Sequence, residues 1–330
     1  MAQVIESCLS SKSTSFSEIP VVDIGALLDG SDAHSVAEKI GNICEKVGFL
    51  YIKNHGVPAS LISDVYRLSQ QFFDLPFEVK NQLNIVNSGQ TLRGYIPMYG
   101  ENVDPQNTKD FKECFDYGEH EEAVSPFFGP NLMPGDVQEF KQVMEAYHAA
   151  MLGLARKLIS AIALSLNLPA DYFEKLQKKP ITIQRLLHYP PQFGDITLKE
   201  IGIGAHTDYG FLTILSQDSN GGLQVQNRNG EWVSAPPVAD TFVVNIGDLV
   251  QTFTNDRYIS TMHRVINTSG VDRYSVPFFI DLDFDALVDV VPTCINPDKP
   301  SKYQPYTSGQ HKYKRFVDSY THLQDVVIGG

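Results

Sequence analysis

A histidine and an aspartate two positions apart, His206 and Asp208, are the first residues whose types and spacing suit chemistry. In an extended strand, side chains two positions apart lie on the same side of the backbone, so this imidazole and this carboxylate converge on one point. They are candidates for two ligands of a metal ion. The same spacing also occurs in surface pairs and turns, so a metal site needs a third ligand from another strand.

His263, in a later apolar run, is the best candidate for that third ligand. Two imidazoles and one carboxylate on one face of an octahedron leave the opposite face open, which is the arrangement of non-haem Fe(II) sites. His206, Asp208 and His263 therefore predict a catalytic metal centre assembled from more than one strand.

Arg273 and Ser275 form a second pair two positions apart, shortly after His263. They share one face of a strand, and their place in the chain suits a strand that returns alongside His263. A guanidinium beside a hydroxyl, at the buried end of a pocket, binds a carboxylate through a bidentate pair and a third hydrogen bond. The pair predicts an anion site, and an ordinary surface arginine is the alternative.

The segments that must position these residues are short apolar runs separated by Gly, Pro, Asn and Asp. Closely spaced strands with such turns between them are typical of a β-sandwich or jelly roll rather than of alternating strand and helix units. Strands are predicted over residues 181–189, 210–215, 223–226, 241–246, 257–266 and 275–282.

The first half of the chain has mostly helical spacing. Apolar residues recur at the period of a helix over 36–47, 61–72 and 137–166, while 84–135 lacks periodicity and suits loops with short strands. Three parts are therefore expected, namely a disordered tail over 1–18, an N-terminal region of helices and pocket loops over 19–135, and a long helix with the β core and a C-terminal tail over 136–330.

Composition limits the possible partners. The 330 residues are 42% hydrophobic, which is enough for a sizeable core, and the net charge of -13 repels nucleic acids and anionic lipid surfaces. The four cysteines contain no Cys-x-x-Cys pair, and no stretch approaches the roughly 20 apolar residues that span a bilayer. We expect a cytoplasmic monomer that binds a small molecule and neither nucleic acid nor membrane.

Taken together, these motifs resemble the 2-oxoglutarate- and Fe(II)-dependent dioxygenases of the isopenicillin N synthase-like group. The likeness covers roughly residues 19 to 310 and includes the segments that hold His206, His263 and Arg273. Further matching segments follow in the family's order, at residues 19–23, 48–56, 188–191, 221–225, 245–248 and 254–256.

The resemblance implies a mixed α/β fold with a double-stranded β-helix (jelly roll) core and a helical N-terminal region packed against it. It also implies that 2-oxoglutarate meets Arg273 and Ser275, with help from Tyr189, while iron is bound by the two histidines and the aspartate. The implied enzyme uses O₂ to oxidise a C–H bond of a small molecule by hydroxylation, desaturation or ring formation, and releases succinate and CO₂.

Two other functions fit the same fold. Isopenicillin N synthase uses O₂ without 2-oxoglutarate and binds its substrate carboxylate with the Arg-x-Ser pair, and Gln324 lies near the C-terminal position of that enzyme's characteristic glutamine. Leu187 stands where many relatives carry an asparagine, so one hydrogen bond to the cosubstrate is absent. The third function is a ligand sensor without turnover. Succinate production separates the first two.

The substrate pocket is expected to involve the irregular segment 90–117 and the C-terminal stretch. Arg93, Tyr95 and Phe115 are the candidates in the segment, and Phe211 is a further candidate because many relatives have a smaller residue there. Aromatic walls suit an apolar or ring-bearing substrate, and Arg93 suits a carboxylate.

Overall fold

A computed structural model of the chain describes residues 19–192, 199–320 and 322–323. The disordered tail expected over 1–18 lies outside the described residues, as does Gln324. The described part is built around two main β-sheets, with two further two-stranded sheets and with helices packed on the outer face of the larger sheet.

Sixteen strands are present in the described part. They are β1 (Val21–Asp23), β2 (Phe49–Lys53), β3 (Gly94–Ile96), β4 (Lys109–Asp110), β5 (Glu113–Tyr117), β6 (Pro180–Tyr189), β7 (Glu200–Ile201), β8 (Ile203–His206), β9 (Leu212–Gln217), β10 (Leu223–Gln226), β11 (Trp232–Ser234), β12 (Thr241–Ile246), β13 (His263–Val265), β14 (Arg273–Asp283), β15 (Leu287–Val288) and β16 (Tyr306–Thr307).

Seven α-helices accompany them in the same residues. They are α1 (Gly25–Leu28), α2 (Ala33–Lys46), α3 (Ala59–Phe73), α4 (Phe77–Gln82), α5 (Phe140–Ser165), α6 (Asp248–Phe253) and α7 (Ser308–Ser319). Short 3-10 helices lie at Ile85–Thr91, Glu174–Leu176 and Pro292–Cys294. None of the described helices is long and apolar enough to cross a membrane.

The larger sheet has eight strands in the order β1-β2-β12-β9-β14-β6-β5-β3, and the smaller has four in the order β11-β10-β13-β8. Strand β2 comes from the N-terminal region, yet it pairs antiparallel with β12 of the core. At the other edge, β5 of the N-terminal region pairs with β6. The N-terminal region therefore completes the sheet on which the core is built.

Alternating side chains of the larger sheet enter two different apolar cores. On β2, Phe49 and Tyr51 pack between the two sheets, whereas Leu50 and Ile52 pack under the helices. This is the period of two expected for a strand that is covered on both faces. The long helix α5 buries one face in the helix-side core, so the space between the sheets is left to β-strand side chains.

The predicted strands mostly agree with the structure, and β10 and β12 agree to the residue. The prediction over 257–266 was too long, because only His263–Val265 forms a strand. The preceding residues bond elsewhere, since the Ser260 amide donates to the Gln251 side chain and the Thr261 hydroxyl donates to the Val47 carbonyl.

Helix α7 was not predicted, for a physical reason. Its buried positions are mostly small or polar, with Lys312 and Ser319 among them, so the helix lacks an apolar face that the sequence could reveal. Cys44, Cys114 and Cys294 are buried free thiols.

Gly48 separates α2 from β2 and offers a test of this packing. Its φ is 71°, and a Cβ there would overlap the Ile259 carbonyl oxygen. We expect Gly48→Ala to reduce the free energy of unfolding by more than about 1 kcal/mol, because the cost of the backbone strain and the cost of the clash are added together. Urea unfolding measures it. Gly30→Ala is the control, since Gly30 has a φ of 79° with nothing within 4 Å, and equal losses in both variants would refute the clash.

Candidate active site

The three predicted metal ligands meet where β8 and β13 lie side by side. His206 ends β8, His263 begins β13, and the two residues are directly opposite each other in the antiparallel pair. Asp208 follows two residues after β8, and its Oδ1 lies 3.9 Å from the Nε2 atom of His206 and 3.6 Å from that of His263. All three ligand atoms lie within 4.8 Å of one another, which is close enough for one ion.

Backbone carbonyls orient both imidazoles. The Nδ1 atom of His206 lies 2.8 Å from the Gly204 carbonyl oxygen, and that of His263 lies 3.1 Å from the Thr261 carbonyl oxygen. Because a carbonyl only accepts, each Nδ1 carries the proton and each Nε2 lone pair faces Asp208. Burial, and next the neighbouring His263, lowers the pKa of His206 to about 3, so this imidazole is neutral at physiological pH.

The carboxylate of Asp208 is held by the larger sheet. Its Oδ2 accepts hydrogen bonds from the Thr213 hydroxyl at 2.5 Å and the Asn245 amide at 2.6 Å. Burial alone would raise the pKa of Asp208, but the two imidazoles and these hydrogen bonds keep it below its ordinary value. The carboxylate is therefore ionised, with Oδ1 left for a metal. Two imidazole nitrogens and one carboxylate oxygen fit Fe(II).

Arg273 lies fully buried at the start of β14. Its guanidinium donates to the Gly221 carbonyl, to the Ser275 hydroxyl at 3.1 Å and to the Gln217 side chain at 3.3 Å. The guanidinium carbon lies 4.7 Å from the ring centre of Tyr189, which is opposite Arg273 on β6. No carboxylate of the described residues forms an ion pair with Arg273. A buried cation without a counter-charge is costly, so this end of the cavity suits an anionic ligand.

Two small cavities meet at His206 and Asp208. The inner cavity, of about 70 Å³, is bounded by the three ligands and extends to Arg273 and Ser275. The outer cavity, of about 60 Å³, also borders His206 and Asp208 but is not lined by His263, Arg273 or Ser275. Its walls include Glu101, Val103, Ile183, Arg185, Tyr209, Phe279, Lys312 and Phe316. A groove of about 500 Å³ elsewhere on the molecule is larger but is not lined by any of the three ligands.

Helix α7 covers the outer cavity through polar contacts. Lys312 donates to Asp281 at 2.5 Å, and Ser319 shares a hydrogen bond of 2.7 Å with Tyr209. Just after the helix, the Tyr320 hydroxyl accepts a hydrogen bond of 2.5 Å from Arg185. The C-terminal stretch thus contributes to the outer wall through Lys312 and Phe316 of α7.

The expected role of Arg93 is corrected by its surroundings. Arg93 is buried, and its guanidinium donates to the carbonyls of Glu119, Phe127 and Gly129 and to the Asn131 side chain. It borders neither cavity, so it ties loops together instead of meeting a substrate carboxylate.

The three aromatic candidates also lie away from the cavities. Tyr95 and Phe115 pack around Phe72 in the helix-side core, where the Tyr95 hydroxyl donates to Glu113. Phe211 packs against Phe173 in the same core, at 4.9 Å between ring centres. Each points to the face of the larger sheet that the helices cover, which the sequence could not distinguish from the face between the sheets.

Several residues of the site were missed. Thr213 and Asn245 hold Asp208, and Glu101, Arg185 and Lys312 line the outer cavity. Asn245 lies in one of the motifs noted above, which was a usable signal. Glu101 comes from the irregular segment, where no periodicity shows the direction of a side chain.

Comparison with known proteins agrees with this geometry. Residues 19–136 match the family described as the non-haem dioxygenase in morphine synthesis N-terminal region, and residues 180–282 match the 2OG-Fe(II) oxygenase superfamily. The chain belongs to the 2OG-Fe(II) oxygenase superfamily. As expected for this superfamily, the fold is a double-stranded β-helix core with helices around it, and the enzyme is a dioxygenase that uses Fe(II), 2-oxoglutarate and O₂.

Three similar proteins illustrate the range of the superfamily. Homoarginine-6-hydroxylase 2-ODD-C23 of Glycine max is 35% identical, over 92% of this chain and 95% of its own length. The 1-aminocyclopropane-1-carboxylate oxidase of Dictyostelium discoideum is 33% identical, over 83% and 84%. A full-length Neurospora crassa protein, crystallised in complex with alpha-KG and thymine, has a TM-score of 0.82 and 29% identity, covering 91% of this chain and 96% of that one. These relatives support an oxygenase that acts on a small molecule.

Arg93 gives a test of the corrected assignment. We expect Arg93→Met to lower the free energy of unfolding by about 3 kcal/mol, because it leaves buried carbonyls without a donor, while 2-oxoglutarate turnover per folded molecule stays unchanged. Chemical unfolding and succinate assays measure the two effects. Arg156→Met, at an exposed position on α5, is the control. A stable Arg93→Met protein with altered turnover would restore a role in the site.

Proposed function

We propose that His206, Asp208 and His263 hold the iron of this oxygenase, and that Arg273 and Ser275 bind the distal carboxylate of 2-oxoglutarate, with Tyr189 alongside. The observation that carries the proposal is the fully buried guanidinium of Arg273, which has no carboxylate partner in the described residues and lies in the same cavity as the three ligands. A dicarboxylate that reaches from the ligands to Arg273 supplies the missing counter-charge.

Iron held by the three ligands would, with 2-oxoglutarate and O₂, oxidise a C–H bond of the substrate and yield succinate and CO₂. The chain's own part is geometric. The carbonyls of Gly204 and Thr261 fix the tautomers of the two histidines. Thr213 and Asn245 donate to Oδ2 of Asp208, which would leave Oδ1 as the oxygen that holds the iron.

The outer cavity is the proposed place of the substrate. It adjoins His206 and Asp208 but not Arg273, and Val103, Phe279 and Phe316 give it apolar walls. Because the inner cavity keeps the same charge requirement whatever the substrate, selectivity is assigned to the outer walls. Succinate formation measures the use of 2-oxoglutarate directly.

We further propose that the protein works as a cytoplasmic monomer. The described cysteines are buried free thiols, which suits a reducing compartment.

The metal assignment is tested by His206→Ala. With one of three ligands removed, we expect affinity for Fe(II) or Co(II) to fall by at least about 10-fold and succinate formation to be lost. Anaerobic calorimetry measures metal binding independently of turnover. His34→Ala, at an exposed position on α2, is the control. Unchanged metal affinity in His206→Ala would disprove the ligand role.

The cosubstrate assignment is tested by Arg273→Ala. Loss of this buried cation is expected to weaken 2-oxoglutarate binding by about 2 to 5 kcal/mol, because the ligand carboxylate is then buried without a partner. Calorimetric titration of the Mn(II)-loaded protein measures the affinity. Arg273→Lys serves as the matched variant, since it keeps the charge but loses the bidentate geometry, and is expected to fall between the two. An unchanged affinity in Arg273→Ala would reject this role.

A further inference from the structure

Glu101 lines both the inner and the outer cavity. Only 5% of its surface is exposed, and both of its ion-pair contacts are made by one oxygen. Oε2 accepts from Lys112 at 2.9 Å and from Arg185 at 2.8 Å. No described residue donates a hydrogen bond to Oε1. One half of a nearly buried carboxylate therefore lacks a partner from the described part of the protein.

This carboxylate is ionised. Burial alone would raise the pKa of Glu101, but the charges of Arg185 and Lys112 outweigh that effect and lower the pKa to about 2. An ionised carboxylate is an acceptor only, so Oε1 needs an N–H or O–H donor. Because Glu101 borders the cavities beside His206 and Asp208, a molecule in the cavity is in position to provide that donor.

The cations that contact Glu101 or line the outer cavity are already paired with carboxylates. Arg185 forms a bidentate pair with Asp116, at 2.7 Å for each bond, and Lys112 also bonds to Asp110. With Glu101, this cluster contains two cations and three carboxylates, a formal charge of -1. Lys312, on the other side of the cavity, is paired with Asp281. The outer cavity therefore disfavours a substrate carboxylate and favours a group that carries N–H donors.

We propose that Glu101 determines specificity by accepting a hydrogen bond from a nitrogen of the substrate, so that the substrate class is small molecules with an amine, guanidine or amide N–H. This inference rests on the proposed function, because it takes the outer cavity as the substrate site. The apolar part of the substrate packs against Val103, Phe279 and Phe316, and the N–H group approaches Oε1.

The test measures ligand binding to the Mn(II)- and 2-oxoglutarate-loaded protein without O₂, by calorimetry. Thymine is the probe that carries N–H groups and no carboxylate, L-homoarginine carries both N–H groups and a carboxylate, and jasmonate carries a carboxylate without an N–H group. We expect at least one N–H probe to bind the wild type more tightly than jasmonate by 10-fold or more. If neither N–H probe binds, or if jasmonate binds as tightly as both, the inference is overturned without any variant.

Glu101→Gln sharpens the result. Arg185 and Lys112 still require an oxygen, so the new amide turns its NH₂ group towards the cavity and replaces an acceptor with a donor. We expect the N–H probes to lose at least 10-fold in affinity and jasmonate to lose none. Glu113→Gln is the matched control, because Glu113 is an equally buried, ion-paired carboxylate that borders neither cavity. Equal probe affinities in wild type and Glu101→Gln would remove Glu101 from recognition.

Failure of this inference is distinguishable from failure of the proposed function. A wild-type protein that forms no succinate from 2-oxoglutarate in the presence of Fe(II) and O₂ refutes the proposed function. A wild-type protein that forms succinate but prefers jasmonate refutes the role of Glu101 alone.

Discussion

The site depends on the buried carboxylate of Asp208, which joins the two sheets. One oxygen faces imidazoles on β8 and β13 of the smaller sheet, and the other is held by Thr213 and Asn245 on β9 and β12 of the larger sheet. In a medium of low dielectric constant, such a charge is tolerated only when every lone pair has a partner or a ligand. The spacing between the sheets is therefore linked to the geometry of the metal centre.

Buried cations that are paired with carboxylates have a structural role. Arg185, Lys112 and Lys312 each have carboxylates at hydrogen-bond distance, and such closed networks hold strands and α7 together. Among the described residues beside the cavities, Arg273 and the Oε1 atom of Glu101 are exceptions. An incomplete partner set on a charged group that borders a cavity indicates where a ligand completes the bonding.

The sequence predicts those parts of the site that follow from the backbone period. Residues two apart on a strand share a face, which predicts that Arg273 lies beside Ser275; His206 and Asp208 also converge, although β8 ends at His206. Arg93 and Glu101 show where this reasoning ends. Both are charged residues in an irregular segment, so the sequence does not show where their side chains lie. In the structure, Arg93 bonds to loop carbonyls, whereas Glu101 borders the cavity. The same limit hid α7, because its buried face is polar.

The polar attachment of α7 has a consequence for how this protein diversifies. A cover that interlocks with an apolar core cannot be altered without repacking its neighbours. Here the cover of the outer cavity is fixed mainly by polar contacts of Lys312, Ser319 and Tyr320, with Phe316 as its buried aromatic contact, and none of these residues is a ligand of the metal centre. Between these anchors, side chains of the helix can be substituted, which changes the shape of the outer cavity but not the metal centre. Substitutions on helix α7 can therefore change the substrate selectivity of the outer cavity while the metal centre and its reaction stay the same.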